Sequence, residues 1–298
     1  MEQHDNHSAV TSSTFGNALV RPFAALGALT AALVALTIAA GRRSCATVGG
    51  MFLLLTATCS TVVQGLFFPG RRLKSEPLVF QMVRVGVKAI PIVVLIQLAI
   101  GMIMPLQMFP KLDEFGQAQQ IATINAIAAF RELGPLMTAV VFSGFAGASI
   151  AAELGTMVTS EEIEALESLG LNPVRFLVVP RLLATVVMMV MLTVIADVVM
   201  VTGGWLTAMR LGIDSDVFYQ LTIDAVNITS FITGLVKAAV FGLLIALIAC
   251  FLGLNVKPWQ GSEGVGLATT NTVVYSIVAI IGADAVFTVI FYSYGLFK

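Results

Sequence analysis

Charged side chains lie within or close to several apolar stretches of the sequence, and this position makes them candidates for chemistry. They are Arg131, Glu132, Asp197, Lys237 and Asp284. A charge without a partner is costly in hydrocarbon, so such residues usually pair with one another or face a cavity. Two interpretations stay open. The charges form structural ion pairs between helices, or they line a polar cavity that handles the headgroup of an amphipathic substrate.

A short acidic segment lies between two long apolar stretches. Glu161, Glu164 and Glu167 recur every three residues, which places them on one side of a helix, with apolar residues on the other side. Thr159 followed by Glu162 has the spacing of a capping box and predicts that the helix begins there. The segment is therefore expected to be a short amphipathic helix. It is either a solvated connection or the docking site of a partner outside the membrane.

The elements that must position these residues are membrane-spanning helices. Of the 298 residues, 58% are hydrophobic and 11% are charged, and the mean hydropathy is +0.95. Soluble domains carry about 25% charged residues, and a helix needs about 20 apolar residues to cross the hydrocarbon core. The composition predicts an all-α polytopic membrane protein, and the net charge of -1 gives no case for nucleic-acid binding.

Five apolar stretches have the length of a membrane span. We expect the spans at residues 89–108, 121–152, 182–209, 231–254 and 265–291. Gly134 and Pro135 form the natural break in the second stretch, and polar loops are expected at residues 110–116 and 210–224. Basic residues concentrate before the first stretch and between the second and third. The positive-inside rule therefore places the N-terminal side of this domain in the cytoplasm and the C-terminus outside.

The part of the chain before these spans divides by composition. Residues 1–17 form a polar tail, and residues 18–46 form an apolar extension. Within that extension, the charge-free segment 22–41 either spans the membrane or lies at its surface as an anchor. A further apolar stretch falls within residues 47–79, and residues 80–298 form the main membrane domain.

Motifs for catalysis and for nucleotide binding are absent from the sequence. It contains no P-loop, no nucleophile elbow and no His-Glu-x-x-His zinc motif. Cys45, Cys59 and Cys250 are isolated in apolar surroundings, so we expect neither a disulfide framework nor a metal site. We assign no catalytic residue and no cofactor to this chain, and any force derived from ATP must come from another subunit.

Several motifs, in the right order, resemble the MlaE/YrbE family, the permease subunits of MCE-associated ABC lipid transporters. Residues 131–135, Arg-Glu-Leu-Gly-Pro, are similar to the Arg-Glu-Leu-x-Pro element of that family. Residues 151–157, followed by 159–166, are similar to its Ala-Glu-Ile/Leu-Gly segment and the Thr-Glu-Gln that follows. The pattern continues at residues 172–173, 179–181, 264–274 and 282–284. The resemblance covers roughly residues 80–292.

The resemblance implies a homodimer in which each chain has five core spans and a preceding interfacial helix, here within residues 47–79. Lipid would occupy a cavity at the dimer interface, lined by the first, second and last core helices. Its polar residues would be Arg131, Glu132, Lys237 and Asp284. An MCE-domain protein would sit on the outer side and receive or deliver the lipid.

The resemblance also implies two cytoplasmic ATPase subunits, which would bind ATP and magnesium and dock after the second span. The residues implied in this coupling are Glu153, Thr159, Glu161, Glu162, Glu164, Glu167 and Arg175. The chain is then expected to move phospholipid or a related lipid in a bacterial inner membrane. The alternative is an ion-coupled secondary transporter or channel that uses the intramembrane charges.

Overall fold

In a computed structural model, residues 45–64 and 75–295 are described, and every regular element among them is a helix. Six helices in these ranges are long and apolar enough to cross a membrane. One is Cys45–Gln64, and the other five, which we call core helices 1 to 5, are Glu76–Glu114, Gln120–Thr159, Val174–Arg210, Ile228–Leu254 and Pro258–Ser293. The prediction of an all-α polytopic membrane protein with five core spans is confirmed.

Two short helices connect the core helices at opposite ends of the bundle. The acidic helix, Glu162–Ser168, lies between core helices 2 and 3, and the connecting helix, Ser215–Ala225, lies between core helices 3 and 4. The acidic helix shares its end of the bundle with the start of core helix 1 and the end of core helix 4. We call this the basic end, because Arg84, Lys88 and Lys257 also lie there.

Core helices 2, 3 and 4 form the centre of the bundle. In their most apolar parts, 50%, 50% and 56% of the residues are buried, against 11% in core helix 5. Core helix 5 nevertheless packs on core helices 2 and 4 along one side. Its other side exposes a run of apolar residues that includes Val274, Val278 and Ile281. Such a face needs lipid or another protein to cover it.

Glycines allow the closest contacts between the core helices. A Cβ atom at Gly101, in core helix 1, would lie 2.1 Å from the backbone oxygen of Met200, in core helix 3. A Cβ atom at Gly234, in core helix 4, would lie 2.2 Å from the backbone oxygen of Phe130, in core helix 2. Small residues at helix contacts let backbones approach in lipid, where packing takes over much of the role that hydrophobic burial has in water.

The break predicted at Gly134 and Pro135 is wrong, because core helix 2 stays helical through these residues. A π-helical turn, Ala129–Leu133, comes directly before Gly134. Proline lacks an amide hydrogen and its ring crowds the carbonyl four residues earlier. In a spanning helix, a local change to π geometry accommodates both effects.

The two predicted loops contain helical structure, so these predictions are wrong as well. Core helix 1 continues through Pro110 to Glu114, since spanning helices tolerate internal prolines. The connecting helix occupies most of the stretch 210–224. It begins after Asp214, whose Oδ1 accepts a hydrogen bond of 2.9 Å from the backbone N–H of Asp216. This is a side-chain cap, which stabilises the start of a helix.

The segment before core helix 1 is described in part. Helix Cys45–Gln64 covers most of the stretch predicted as an interfacial helix, and its length and composition would also allow it to span. The tail 1–17 and the apolar segment 22–41 lie outside the described residues. The division into a tail, an extension, an interfacial region and a domain 80–298 stays a prediction, as does the cytoplasmic position of the basic end.

Candidate functional site

A buried lysine joins two carboxylates from different helices. The Nζ atom of Lys237, in core helix 4, lies 2.8 Å from Oε2 of Glu132, in core helix 2. It also lies 2.9 Å from Oδ1 of Asp284, in core helix 5. The Lys237 side chain is 0% exposed, whereas that of Glu132 is 33% exposed. The three residues were each predicted from sequence as intramembrane charges, and the structure brings them into one cluster.

Thr288 completes this polar cluster. Its hydroxyl accepts a hydrogen bond of 3.3 Å from Lys237 Nζ and donates one of 3.2 Å to Oε1 of Glu132. The sequence interpretation missed Thr288 because a lone threonine in an apolar helix is common. Its spacing carried a usable signal, since it follows Asp284 by four residues and thus shares the same helix face.

Arg131 lies beside the polar cluster on the same π-helical turn as Glu132. Its Nε donates a hydrogen bond of 2.9 Å to the hydroxyl of Ser230, near the start of core helix 4. Single π turns within α-helices occur frequently at functional sites. Here Arg131 and Glu132, two adjacent residues of opposite charge on this turn, both contact core helix 4.

Asp197 does not join the other intramembrane charges. It is 1% exposed in core helix 3, and its Oδ1 has no hydrogen-bond partner among the described residues. A Cβ atom at Gly134 would lie 1.8 Å from this oxygen. Asp197 therefore packs against the backbone that follows the π-helical turn. It makes no ion pair with Lys237, whose partners are Glu132 and Asp284.

The polar cluster is charge-unbalanced and open on one side. Two carboxylates surround one ammonium, and the partial exposure of Glu132 leaves an acceptor accessible from outside the bundle. A fully buried lysine is stable only when it is paired and hydrogen-bonded. The arrangement can exchange one of its partners for a charged group of a ligand, because either sign on the ligand finds a complementary group here.

The acidic helix at the basic end differs from its predicted form at its first residues. Thr159 does not cap it: this residue ends core helix 2, and its hydroxyl donates to the backbone oxygen of Thr156 at 3.0 Å. Glu161 adopts a left-handed conformation with φ of 60°, so the chain turns before Glu162. The predicted capping box is therefore wrong, because the turn directs the Thr159 side chain back onto the preceding helix.

The acidic face of this helix is present as predicted. Glu161, Glu164 and Glu167 are exposed, and Ile163 and Leu166 pack against the core of the bundle. Arg175 is half-buried on a π-helical turn, Val174–Val178, at the start of core helix 3. The acidic helix thus exposes its carboxylates on one side, while the apolar contacts on its other side attach it to the core.

Glu153 lies apart from the acidic face, in an ion cluster that the sequence interpretation missed. Its Oε1 is 2.6 Å from Nη1 of Arg84 and 2.9 Å from Nη2 of Arg181. These three residues connect core helices 1, 2 and 3 near the basic end. The sequence did contain a signal for this ion cluster: each of the three residues lies about two turns inside the end of its helix, so all three lie at a similar depth in the bundle.

Comparison of the chain with known proteins identifies a family to which it is similar. Residues 78–290 match the family model described as Permease MlaE. The chain is 34% identical, over 73% of its length and 84% of the relative, to the intermembrane phospholipid transport system permease protein MlaE of Haemophilus influenzae. It is 35% identical, over 70% of its length and 80% of the relative, to a probable ABC transporter permease protein of Rickettsia typhi.

A chloroplast protein is also similar. The chain is 32% identical, over 72% of its length and 61% of the relative, to the protein TRIGALACTOSYLDIACYLGLYCEROL 1 of Arabidopsis thaliana. The matched region 78–290 contains the polar cluster, the acidic helix and the ion cluster around Glu153.

Proposed function

Because the chain belongs to the MlaE permease family, we propose that it is the membrane-embedded permease of an ABC transporter that moves phospholipid. The family match covers all five core helices to within a few residues of their ends, and the names of the Haemophilus and Rickettsia relatives describe permeases. The observation that carries the proposal is the polar cluster, in which Lys237 holds Glu132 and Asp284 together inside an apolar bundle.

The polar cluster would act as the place where a phospholipid headgroup enters the bundle. A phosphate would compete with the carboxylates for Lys237, and a headgroup amine would compete with Lys237 for Glu132. Binding of this kind is reversible because the residues regain their own partners when the lipid leaves. Arg131, hydrogen-bonded to Ser230 beside the cluster, would add a second cation for the phosphate.

The acidic helix would dock the ATPase. Its exposed carboxylates, on Glu161, Glu164 and Glu167, suit a basic surface on a cytoplasmic partner. ATP and magnesium would bind to that partner, since this sequence has no P-loop. Because the helix lies between core helices 2 and 3, a displacement by the ATPase would move both of them, and core helix 2 carries Glu132 of the polar cluster.

A second copy of this chain and an MCE-domain protein would complete the transporter in a bacterial inner membrane. The exposed apolar face of core helix 5 supports a homodimer, because this helix also carries Asp284 and Thr288. A dimer across this face would place the two polar clusters on either side of the interface, each separated from it by one core helix 5. The MCE-domain protein would then take or deliver lipid at the end opposite the basic end.

Reconstitution tests the proposed function. The full-length chain, its ATPase and a fluorescent phospholipid are incorporated in proteoliposomes, and lipid transfer is measured with and without ATP. We expect transfer that requires ATP and the ATPase, and no ATP hydrolysis above background by the purified chain alone. ATP hydrolysis by the chain itself would contradict the proposal. Transfer that follows an ion gradient without the ATPase would support a secondary transporter instead.

A further inference from the structure

A polar cavity lies at the basic end, away from the polar cluster around Lys237. Its volume is about 560 Å³. Core helices 1, 2 and 3 and the acidic helix contribute its polar lining, which consists of Arg84, Ser149, Glu153, Thr156, Glu162 and Arg181. Side chains of the apolar residues between them form the rest of the wall. The cavity therefore offers both charged groups and an apolar surface to one ligand.

Two guanidinium groups in this cavity share one carboxylate oxygen. Oε1 of Glu153 accepts from Nη1 of Arg84 and from Nη2 of Arg181. Arg181 is 5% exposed and its Nη1 donates to the backbone oxygen of Leu177 at 2.7 Å. Its Nε is buried and has no hydrogen-bond partner among the described residues. Buried donors without a partner are rare in folded proteins, so this N–H is available to an acceptor bound in the cavity.

The charges of the cavity are balanced but separated. Arg84 and Arg181 come from core helices 1 and 3, and one of their positive charges remains after Glu153 is counted. The second carboxylate, Glu162, comes from the acidic helix and is exposed at the rim. A simple anion would meet this carboxylate, whereas a ligand with a phosphate and an ammonium group would find a partner for each.

The depth of the cavity corresponds to a headgroup layer. Arg84, Glu153 and Arg181 each lie about two turns inside the end of their helix at the basic end. Core helices 1, 2 and 3 have 39, 40 and 37 residues, whereas about 20 residues suffice to cross the hydrocarbon core. The ends of these helices therefore extend beyond the hydrocarbon core, and the cavity lies at a depth where phospholipid headgroups are at high concentration.

We propose that this cavity binds the headgroup of a zwitterionic phospholipid that carries a primary amine, of the phosphatidylethanolamine type. The phosphate accepts from Arg84 and from the free Nε of Arg181, and the ammonium group donates to Glu162. Ammonium is favoured over a quaternary amine because it can donate hydrogen bonds to the carboxylate. The site is separate from the polar cluster, and its occupancy does not depend on lipid transport.

Protection of a cysteine in the cavity tests the proposal. Thr156→Cys is made in the full-length chain with Cys45→Ser and Cys59→Ser, and the protein is placed in nanodiscs of phosphatidylcholine. The rate of maleimide labelling at position 156 is then measured as phosphatidylethanolamine or phosphatidylglycerol is added. We expect phosphatidylethanolamine to slow labelling the most. Arg84→Gln should weaken this protection about tenfold, the value of one charge-assisted hydrogen bond.

Two further variants make the assignment specific. Glu162→Gln should remove the preference for phosphatidylethanolamine over phosphatidylglycerol, an effect that a change in folding alone would not produce. Lys257→Gln removes a positive charge at the same end, outside the cavity lining, and should leave protection unchanged. Equal protection in the Arg84→Gln variant would overturn the proposal. Protection by millimolar inorganic phosphate equal to that by lipid would also overturn it, since the site would then bind a free anion.

Discussion

At the scale of residues, the decisive feature is the pairing of charges that apolar surroundings would otherwise penalise. Lys237 is 0% exposed and meets Glu132, Asp284 and Thr288 within 3.3 Å. Removing one partner of a buried pair leaves a charge without compensation, which costs about 3–5 kcal/mol. Because of this cost, the polar cluster stabilises the contact between core helices 2, 4 and 5. A charged ligand can also bind there, since it can replace one of the partners and compensate the charge.

Lys237→Ala should lower the stability of the chain by about 3–5 kcal/mol, because two carboxylates then lie close together without their cation. The midpoint of thermal unfolding in detergent measures this loss, together with lipid transfer. The triple variant Lys237→Ala, Glu132→Gln and Asp284→Asn removes all three charges, so it should regain stability without regaining transfer. Lys257→Ala, an exposed lysine at the basic end, is the matched control. If the triple variant transfers lipid normally, the cluster has no role in transport.

At the scale of elements, helix contacts depend on glycines that let two backbones touch. Gly234 in core helix 4 faces the carbonyl of Phe130, which lies on the same π-helical turn as Arg131 and Glu132. The same contact therefore fixes the distance between Lys237 and its partner Glu132. The separation of core helices 2 and 4 therefore determines both the packing of these helices and the geometry of the site.

Gly234→Ala should destabilise the bundle by about 1–3 kcal/mol, since the added Cβ would lie 2.2 Å from a backbone oxygen that cannot move alone. Gly144→Ala in core helix 2 is the control, because no atom lies within 4 Å of its added Cβ and it lies outside the exposed face of core helix 5. That variant should be neutral or slightly stabilising, as alanine favours helix. Unfolding midpoints of the two variants in the same detergent provide the comparison, and equal midpoints would contradict the predicted contact.

A second element, the acidic helix, gives a prediction about assembly. Glu161→Lys with Glu164→Lys reverses the charge of its exposed face and should weaken co-purification of the ATPase with the chain. The apolar contacts of Ile163 and Leu166 remain, so membrane insertion and abundance should not change.

The control for this variant carries the same charge change at the opposite end of the bundle. Asp113→Lys with Asp224→Lys alters two exposed acids there and should leave co-purification at the level of the unaltered chain. An undiminished yield of ATPase with the Glu161 and Glu164 variant would remove the docking role from this face.

At the scale of the whole molecule, one side of core helix 5 is not covered by any residue that the structure describes. Only 11% of its most apolar part is buried, although its other side contributes Asp284 and Thr288 to the polar cluster. A second copy packed against this face would bury its apolar residues, and core helix 5 would then connect the dimer interface with the polar cluster. The proposed homodimer thus concerns the site through this helix.

Val278→Cys tests this arrangement. Val278 is 66% exposed on core helix 5, whereas Val198 is 59% exposed on core helix 3 and serves as the control position. In a chain with Cys45→Ser and Cys59→Ser, mild oxidation in membranes should link two copies through the cysteine at position 278. The variant Val198→Cys should stay monomeric on a denaturing gel. Cross-linking at 198 and none at 278 would assign the dimer to another face.

The sequence by itself determined the fold class and the candidates for the site. Long apolar stretches with few charges predict membrane-spanning helices, since a helix satisfies its own backbone hydrogen bonds in lipid. The same penalty on intramembrane charge identified five residues before any contact was known: Arg131, Glu132, Asp197, Lys237 and Asp284. The exposed acidic face was also predictable, because helical periodicity is a local property.

Only the tertiary structure decided which of these residues meet. Glu132, Lys237 and Asp284 are far apart in the chain, and sequence spacing carries no information about the rotation of one helix against another. Glu132 lies on the π-helical turn Ala129–Leu133, and core helix 2 stays helical where a break was predicted at Gly134 and Pro135. Asp197 lies away from the polar cluster, whereas Arg84 and Arg181 both pair with Glu153. The depth of each residue along its helix and the direction of its side chain determine these partners, and both depend on how the helices pack.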